Sequence, residues 1–325
     1  MKKFNQFLIS LGIICLSLSL NVSSQAQEYP NRPIKMVIPY PPGGPSDIVG
    51  RLLGQALSES LGQPVIIESK PGAAANIGTQ YVARSSPDGY TLLLVSSNLV
   101  INPNLYANPG YDTIKDFAPI IMPAGSPNLI VVHPSFPAKN VQEFLALIKA
   151  NPGKYDFASP GGGSGPHLSA ELLKLKLNLS MQHIPFNGGG PALQAVLGNQ
   201  VPIGFSTLPP AIAQVKAGKL VGIAFTSSAR SPVLPGVPTL VESGVPEVEG
   251  ETLQFIVAPA GTPSAIIQKL NLEMNKALSN PELQAKLVSA GYFVYNNTPE
   301  QTAQKIRLEL DKWGAVIKAG KIKPD

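Results

Sequence analysis

The sequence predicts an α/β protein built as two lobes, and three observations predict it. Short strand-like runs alternate with helical patterns along most of the chain, the arrangement that gives layered α/β sheets. Glycine-rich turns twice follow a strand-like run and open a helical pattern, at 41–46 and again at 159–166. The length of 325 residues suits two domains of about 150 residues better than one core.

The chain begins with Lys2 and Lys3, an apolar run at 7–20 and the small-residue site Ser24-Gln25-Ala26. This pattern predicts a secretory signal peptide over residues 1–26, cleaved after Ala26. The run is too short to span a bilayer, and no later segment approaches the roughly 20 apolar residues that spanning needs. Cys15, the only cysteine, lies inside the run, so the exported chain is expected to carry no thiol, disulfide or lipid anchor. The net charge of +5 loses Lys2 and Lys3 with the leader and falls to +3, and the remaining basic residues are scattered. No basic face interleaved with aromatics is present, which excludes nucleic acid as the expected partner. Charged residues make up only 14% against 30 Gly and 33 Pro, so the chain has many tight connections between short elements.

The first strand is expected at 34–38. It runs into Pro41-Pro42-Gly43-Gly44-Pro45-Ser46-Asp47, where Gly43 and Gly44 allow a sharp turn and the next helix presents its free N–H groups. Such a helix start carries a partial positive charge and can hold a carboxylate or phosphate without Arg or Lys. A second strand follows at 65–68 and a helix at 76–85. The buried strand TLLLVSS at 91–97 ends in Ser96, Ser97 and Asn98, at the strand end where open α/β sheets hold ligands. Residues 99–126, rich in Pro and Asn, read as irregular, with a change of lobe near their end.

A new series begins with a strand at 128–133 and an amphipathic helix at 139–150, whose Val141, Phe144, Leu145 and Ile148 share one face. A strand at 155–158 leads into Ser159-Pro160-Gly161-Gly162-Gly163-Ser164-Gly165-Pro166-His167 and a helix at 168–177. A strand at 181–184 precedes Phe186-Asn187-Gly188-Gly189-Gly190 and a helix to 197. Strands at 201–205, ending in Ser206-Thr207, and at 221–225 follow. After a Pro-rich passage at 231–246 come a strand at 253–258 and helices at 264–278, 281–290 and 300–318, with a short strand at 292–295. The sheets are expected to be largely parallel.

Enzymatic signatures are absent. Neither Ser46 nor Ser164 stands in G-x-S-x-G, since the first lacks the last glycine and the second has Pro166 there. Pro166 also occupies the third glycine position of a dinucleotide fingerprint, and no Gly-Lys-Ser/Thr phosphate loop occurs. His133, His167 and His183 show no H-E-x-x-H spacing, so neither a metal nor a cofactor is expected. His167, beside the second glycine turn, suits capping or structural hydrogen bonding better than base catalysis. Asp47 suits the helix N-terminus in the same way. Trp313 is expected in the core. Two lobes, each offering glycine turns at helix starts and Ser-tipped strand ends, would enclose a pocket for a small anion.

An ordered set of motifs extends this reading: Tyr29-Pro30-Asn31-Arg32-Pro33-Ile34, Pro41 to Asp47, Pro71 to Gly78, Pro87 to Thr91, Ser159 to Leu168, Ile184 to Gly189, Gly218-Lys219-Leu220, Val237-Pro238-Thr239 and Ala260-Gly261-Thr262-Pro263. Over nearly the whole exported length the chain resembles the Bug family of periplasmic solute-binding proteins, the receptors of tripartite tricarboxylate transporters. The resemblance implies the two-lobed type II periplasmic binding-protein fold with a ligand cleft between the lobes. Residues 27–125 and 252–325 would form the first lobe and 126–251 the second. It further implies a monomer without cofactor that closes on a di-, tri- or aromatic carboxylate and delivers it to membrane permease subunits. The positions that match the family's ligand loops are Tyr40, Gly43, Gly44, Ser46, Asp47 and Ser97, then Ser159, Gly163, Ser164 and His167, then Phe186, Asn187, Gly188 and Gly189, and Ser206 with Thr207.

Two departures qualify the match. Ala73-Ala74-Ala75 replaces a more glycine-rich run, which is expected to stiffen that loop. Phe186 stands where Tyr is usual, and Asn187 replaces a longer, often basic residue. The far end of the cleft is therefore expected to be less polar, suiting a ligand with one anchored carboxylate and an aromatic or aliphatic distal part. The alternatives are a sensor that reports the same ligand to a membrane kinase and, on weaker grounds, an exported enzyme acting on a carboxylic acid.

Overall fold

The computed structural model describes residues 29–324, so the expected signal peptide lies outside the described residues. In chain order the first elements are β1 (Ile34–Ile38), α1 (Pro45–Leu61), β2 (Val65–Ser69), α2 (Asn76–Ala83), β3 (Thr91–Ser96), α3 (Asn98–Leu105) and β4 (Phe117–Val132). Then come α4 (Val141–Ala150), β5 (Asp156–Ser159), α5 (Gly165–Leu177), β6 (Gln182–Pro185), α6 (Gly189–Leu197), β7 (Ile203–Thr207), α7 (Leu208–Lys216) and β8 (Val221–Phe225). The last are β9 (Glu251–Pro259), α8 (Ser264–Leu278), α9 (Pro281–Ser289), β10 (Phe293–Val294) and α10 (Pro299–Gly320).

Local chemistry accounts for most of these boundaries. Helix α1 starts with Pro45, whose missing N–H costs nothing in a first turn, and ends at Gly62 in the left-handed conformation. Its Val49, Leu53 and Leu57 recur every fourth residue and are fully buried. Gly50 lets this face approach the sheet, because a Cβ there would meet Ile38 Cδ1 at 2.6 Å. Asn140 caps α4 by accepting from Glu143 N, and Thr298 and Gln301 form a reciprocal capping box at the start of α10.

The strands lie in the order β2-β1-β3-β9-β4-β7-β5-β6, with β8 and β10 also pairing with β4. Strand β4 spans the whole arrangement. Its residues 117–127 pair with β9, while 128–132 pair with β7. The expectation of largely parallel sheets needs correction. β1 pairs in parallel with β2 and β3, and β5 with β6 and β7, but every pairing of β4 and β9 is antiparallel. The late return of the chain as β9 inserts an antiparallel strand between β3 and β4, and a buried apolar run reads the same in either direction.

The irregular stretch expected at 99–126 is also corrected, since it contains most of α3 and the first ten residues of β4. Pro119, Pro123 and Pro127 suggested a break. Pro119 and Pro123 are accommodated because the β4–β9 register shifts between Pro119 and Ile121 and again between Ile121 and Ala124, bulges that tolerate a missing donor, while Pro127 is the last β4 residue paired with β9, opposite Glu251.

Directions along β4 bring the ligand-loop candidates together. Strand β3 runs with β4, so its C-terminal end points toward the 128–132 half. Strands β5, β6 and β7 run against β4, so their C-terminal ends point back. Ser96 is level with Gln254, which pairs with Ala124, and Thr207 is level with Asn128. The two sets of strand ends thus face one another across about four residues of β4, roughly 13 Å at the rise of an extended strand.

Ala73, Ala74 and Ala75 form a short 3₁₀ turn before α2, with φ of 47°, 50° and 78°. Three successive alanines in the left-handed region store strain of about 1–2 kcal/mol each. Asn102 holds the turn in place, its amide donating to Ala74 O and Asn76 Oδ1, both at 2.8 Å. Ala74→Gly is expected to stabilise the protein by about 0.5–1 kcal/mol, strain relief exceeding the extra entropy of an unfolded glycine. Thermal denaturation checks this, and a lower melting temperature would contradict it.

Candidate functional site

The first glycine turn lies between β1 and α1. Gly43 has φ 81° and its N–H donates to Asp47 Oδ2 at 3.0 Å. The same oxygen accepts from Arg51 Nε at 2.8 Å, one helical turn on. Burial opposes ionisation of Asp47, but the Arg51 guanidinium and the Gly43 N–H outweigh it and hold the carboxyl below its usual range. Asp47 therefore shapes the turn, as its position suggested. Gly44 caps α1 with extended backbone and no side-chain bond. Its carbonyl accepts from Asp47 N and Ile48 N, while the N–H groups of Gly44 and Ser46 have no protein acceptor among the described residues.

Two neighbours close this turn from behind. Tyr40 Oη bonds Ser96 Oγ at 2.6 Å and donates to Asn98 Oδ1 at 3.0 Å, so the loop is tied to the end of β3. Burial pushes the Tyr40 phenol up to about 12, despite its bonds to Ser96. Ser46 Oγ donates to Gln254 Oε1 at 2.8 Å. Gln254 is fully buried and its Nε2 has no partner among the described residues.

The second turn lies between β5 and α5. Ser164 caps α5 by accepting from His167 N, and its hydroxyl donates to Gly161 O at 2.8 Å. Gly163, with φ 70°, sits against α3, where a Cβ would meet Leu105 Cδ2 at 2.4 Å. The two halves of the sheet therefore touch at this turn. Gly163 N donates to His167 Nδ1 at 3.0 Å, and the His167 ring is buried. Ser159 is buried as well, its hydroxyl shared between His183 Nε2 at 2.6 Å and Gly161 N at 3.2 Å.

The third turn, between β6 and α6, lies beside the second because β5 and β6 pair in parallel. Phe186 N donates to Ser159 O, and Gly188 N to Pro160 O, each at 3.1 Å. Phe186 is half-buried and packs on the apolar cluster formed with α6 and α7, while Asn187 is exposed. The N–H groups of Gly189 and Gly190 open α6 without a protein acceptor among the described residues.

Several predicted hydroxyls serve the backbone. Ser97 Oγ accepts from Leu253 N at 2.9 Å and so links β3 to β9. Ser206 Oγ donates to Thr207 O, and Thr207 precedes α7 without a side-chain cap. The first three positions of α7 are Leu208, Pro209 and Pro210; Leu208 N donates to Ser126 Oγ, and proline has no N–H. No free backbone donor remains in that first turn among the described residues, which leaves the Thr207 hydroxyl as its one unbonded donor. Tyr40, Gly43, Gly44, Ser46, Gly188 and Gly189 thus belong to turns with free donors and Thr207 keeps an unbonded hydroxyl, whereas Asp47, Ser97, Ser159, Gly163, Ser164, His167 and Ser206 shape the turns or the strands beneath them.

Sequence reasoning missed the floor between the turns. Asn128 Nδ2 donates to Ser169 Oγ at 2.9 Å, and Thr252 Oγ1 donates to Asn128 Oδ1 at 2.8 Å. With Ser126 and Gln254, these buried polar groups stand where β4 and β9 cross between the halves. The available signal was a single polar residue inside each apolar run, Asn128 before Leu129-Ile130-Val131-Val132 and Gln254 inside Leu253 to Val257. Cavities of about 790 Å³ beside Arg32, Lys35 and Tyr81, and of about 240 Å³ beside Glu251, Tyr295 and Lys312, lie away from the glycine turns.

Comparison with known proteins places this geometry. Residues 49–322 match the model of the tripartite tricarboxylate transporter family receptor. Protein BugT of Bordetella pertussis is 35% identical over 315 residues, covering 96% of this chain and 97% of BugT. The structure of the periplasmic binding protein BugD superposes with a TM-score of 0.81 at 34% identity, covering 91% of this chain and 100% of that one. A Rhodopseudomonas palustris protein solved with adipate gives 0.84 at 31% identity, covering 92% and 100%. MatC from the same organism, with bound malate, gives 0.79 at 31%, covering 89% and 100%. The fold is the two-lobed periplasmic binding-protein fold with its cleft between the lobes, and the chain belongs to the receptor family of the tripartite tricarboxylate transporters.

Proposed function

We propose that this protein is a periplasmic solute-binding protein that captures a small organic carboxylate in the cleft and delivers it to the permease subunits of a tripartite tricarboxylate transporter. The observation that carries this reading is the start of α1, where Gly44 and Ser46 hold free N–H groups beside an aspartate already neutralised by Arg51. Two donors and the helix dipole suit one carboxylate, each charge-assisted bond contributing about 1.5–3 kcal/mol. The free N–H groups of Gly189 and Gly190 suit contact from the opposite side. The half-buried Phe186 and exposed Asn187 favour a ligand whose distal part is apolar.

In this reading residues 27–125 and 252–325 act as one lobe and 126–251 as the other, with β4 and β9 crossing between them. The protein works as a monomer, and only tighter binding in the closed state can drive closure. The relatives with adipate and malate support a dicarboxylate as the ligand class.

A thermal-shift panel on the purified protein, refolded to remove carried-over ligand, tests the reading. Binding to the native state raises the melting temperature by mass action. Shifts with adipate and other dicarboxylates, larger for adipate than for malate, are expected. A shift with a neutral sugar and none with any acid would refute carboxylate capture.

A further inference from the structure

Resting on the carboxylate-binding reading, we propose that His167 and His183 are a positioning pair that fixes the Gly161–Ser164 turn and, through the bonds of Phe186 N to Ser159 O and Gly188 N to Pro160 O, the adjoining Gly188–Gly190 turn with its free donors. Gly163 N donates to His167 Nδ1 at 3.0 Å, so that nitrogen carries the lone pair and the ring proton resides on Nε2. Nε2 faces Glu171 Oε1 at 3.7 Å, and Lys174 Nζ holds the same oxygen at 2.7 Å. The tautomer that can serve Gly163 is thereby favoured from the other side of the ring.

His183 locks this ring in place. The two imidazoles stack with centroids 3.8 Å apart and planes 13° from parallel. Phe157 flanks the pair at 5.1 Å from His183 and 6.3 Å from His167. His183 Nε2 bonds Ser159 Oγ, which in turn accepts from Gly161 N. Both positive-φ glycines of the turn, Gly161 at φ 131° and Gly163 at φ 70°, are thus tied to one stack of rings. Burial, with the neighbouring His167 adding to it, drives the His183 imidazole down to about 3, so its face carries no charge to repel the other ring.

The chemistry explains why histidine is needed at 167. A Phe or Leu there would fill the space but leave the buried Gly163 N–H unpaired, which costs the full desolvation of that donor. The turn could then recover that bond only by changing shape. Histidine supplies a flat stacking surface and a backbone acceptor in one side chain.

The test compares His167→Leu with His167→Asn, whose Oδ1 occupies nearly the place of Nδ1. Calorimetry with adipate and malate reads affinity, and amide hydrogen exchange at Gly163 reads the bond without any ligand. In His167→Leu, Gly163 protection and affinity for the better of the two acids should each fall about tenfold or more, the equivalent of one lost hydrogen bond. In His167→Asn both should stay within about threefold of the parent. Unchanged Gly163 protection in His167→Leu would overturn the proposal, as would an Asn variant that loses as much as the Leu variant. Should His167→Leu fail to fold, Ser159→Ala detaches Gly161 and His183 together; faster Gly161 exchange with weaker binding supports the pair, and parental values for both overturn it. Failure of the parent protein to bind any acid of the thermal-shift panel would refute the carboxylate reading alone, since Gly163 exchange still decides the role of the histidines.

Discussion

Gly44→Asp is expected to leave the protein at least as stable as the parent while weakening carboxylate binding by about a hundredfold or more. Gly44 has extended backbone, φ −79° and ψ 174°, and a Cβ there meets nothing closer than Pro41 O at 3.5 Å. An aspartate therefore fits without strain and can cap the free N–H groups of the first turn. Replacing a glycine N-cap by Asp contributes a few tenths of a kcal/mol, and a negative charge at a helix start about 0.3–1 kcal/mol. The neighbouring Asp47 reduces this gain only in part, because Arg51 neutralises it. Binding moves the other way. The new carboxylate takes the donors that a ligand carboxylate needs, and two such charges about 4 Å apart repel by about 4 kcal/mol at the effective dielectric of a protein surface. Melting curves and calorimetry with adipate separate the two effects. Retained affinity would place the anion elsewhere, and a large loss of stability would mean that the turn is not the open cap described above.

Trp313→Ala is expected to cost about 3–5 kcal/mol of stability, the largest effect of any single truncation considered. Trp313 is fully buried on α10, which packs against α3 and α5 and against β4. Its ring lies beside Gly250, where a Cβ would meet Trp313 Cη2 at 3.1 Å, at the entry to β9. Lys312 Nζ stands 4.5 Å from the ring centroid. The residue therefore fills the space where the chain crosses between the halves of the sheet. The loss should lower the melting temperature by roughly 5–8 °C for a chain of this size. Trp313→Phe should cost clearly less, since Nε1 has no partner among the described residues and only volume is removed. A loss below about 1 kcal/mol would show that the crossing is held by other contacts.

The histidines show how far sequence reasoning reached within the site. His167 was legible because it stands three residues from its N-cap, Ser164, inside a recognisable turn-to-helix pattern. His183 was not, because it lies on another strand and meets His167 only through the β5–β6 pairing. The serines followed the same division. Ser-tipped strand ends were visible at 97, 159 and 206, but nothing local says that their hydroxyls bond the backbone of β9, the second glycine turn and Thr207.

What the sequence determined by itself was everything written in short-range chemistry. Pro45 after Gly43-Gly44 and Ser164 before Gly165-Pro166 mark helix starts, and the four-residue recurrence of Val49, Leu53 and Leu57 marks a buried face. The ordered motifs along the chain carried the family as well. Only the tertiary structure decided the direction of β9, the continuity of β4 through three prolines, and the meeting of Ser46 with Gln254, 208 residues away. The reason is physical. A turn or cap is stabilised by bonds among neighbours, and its residues announce it, whereas strand direction and the partner of a buried hydroxyl depend on which distant segment shares the interior. An apolar run reads the same in both directions until that partner is in place.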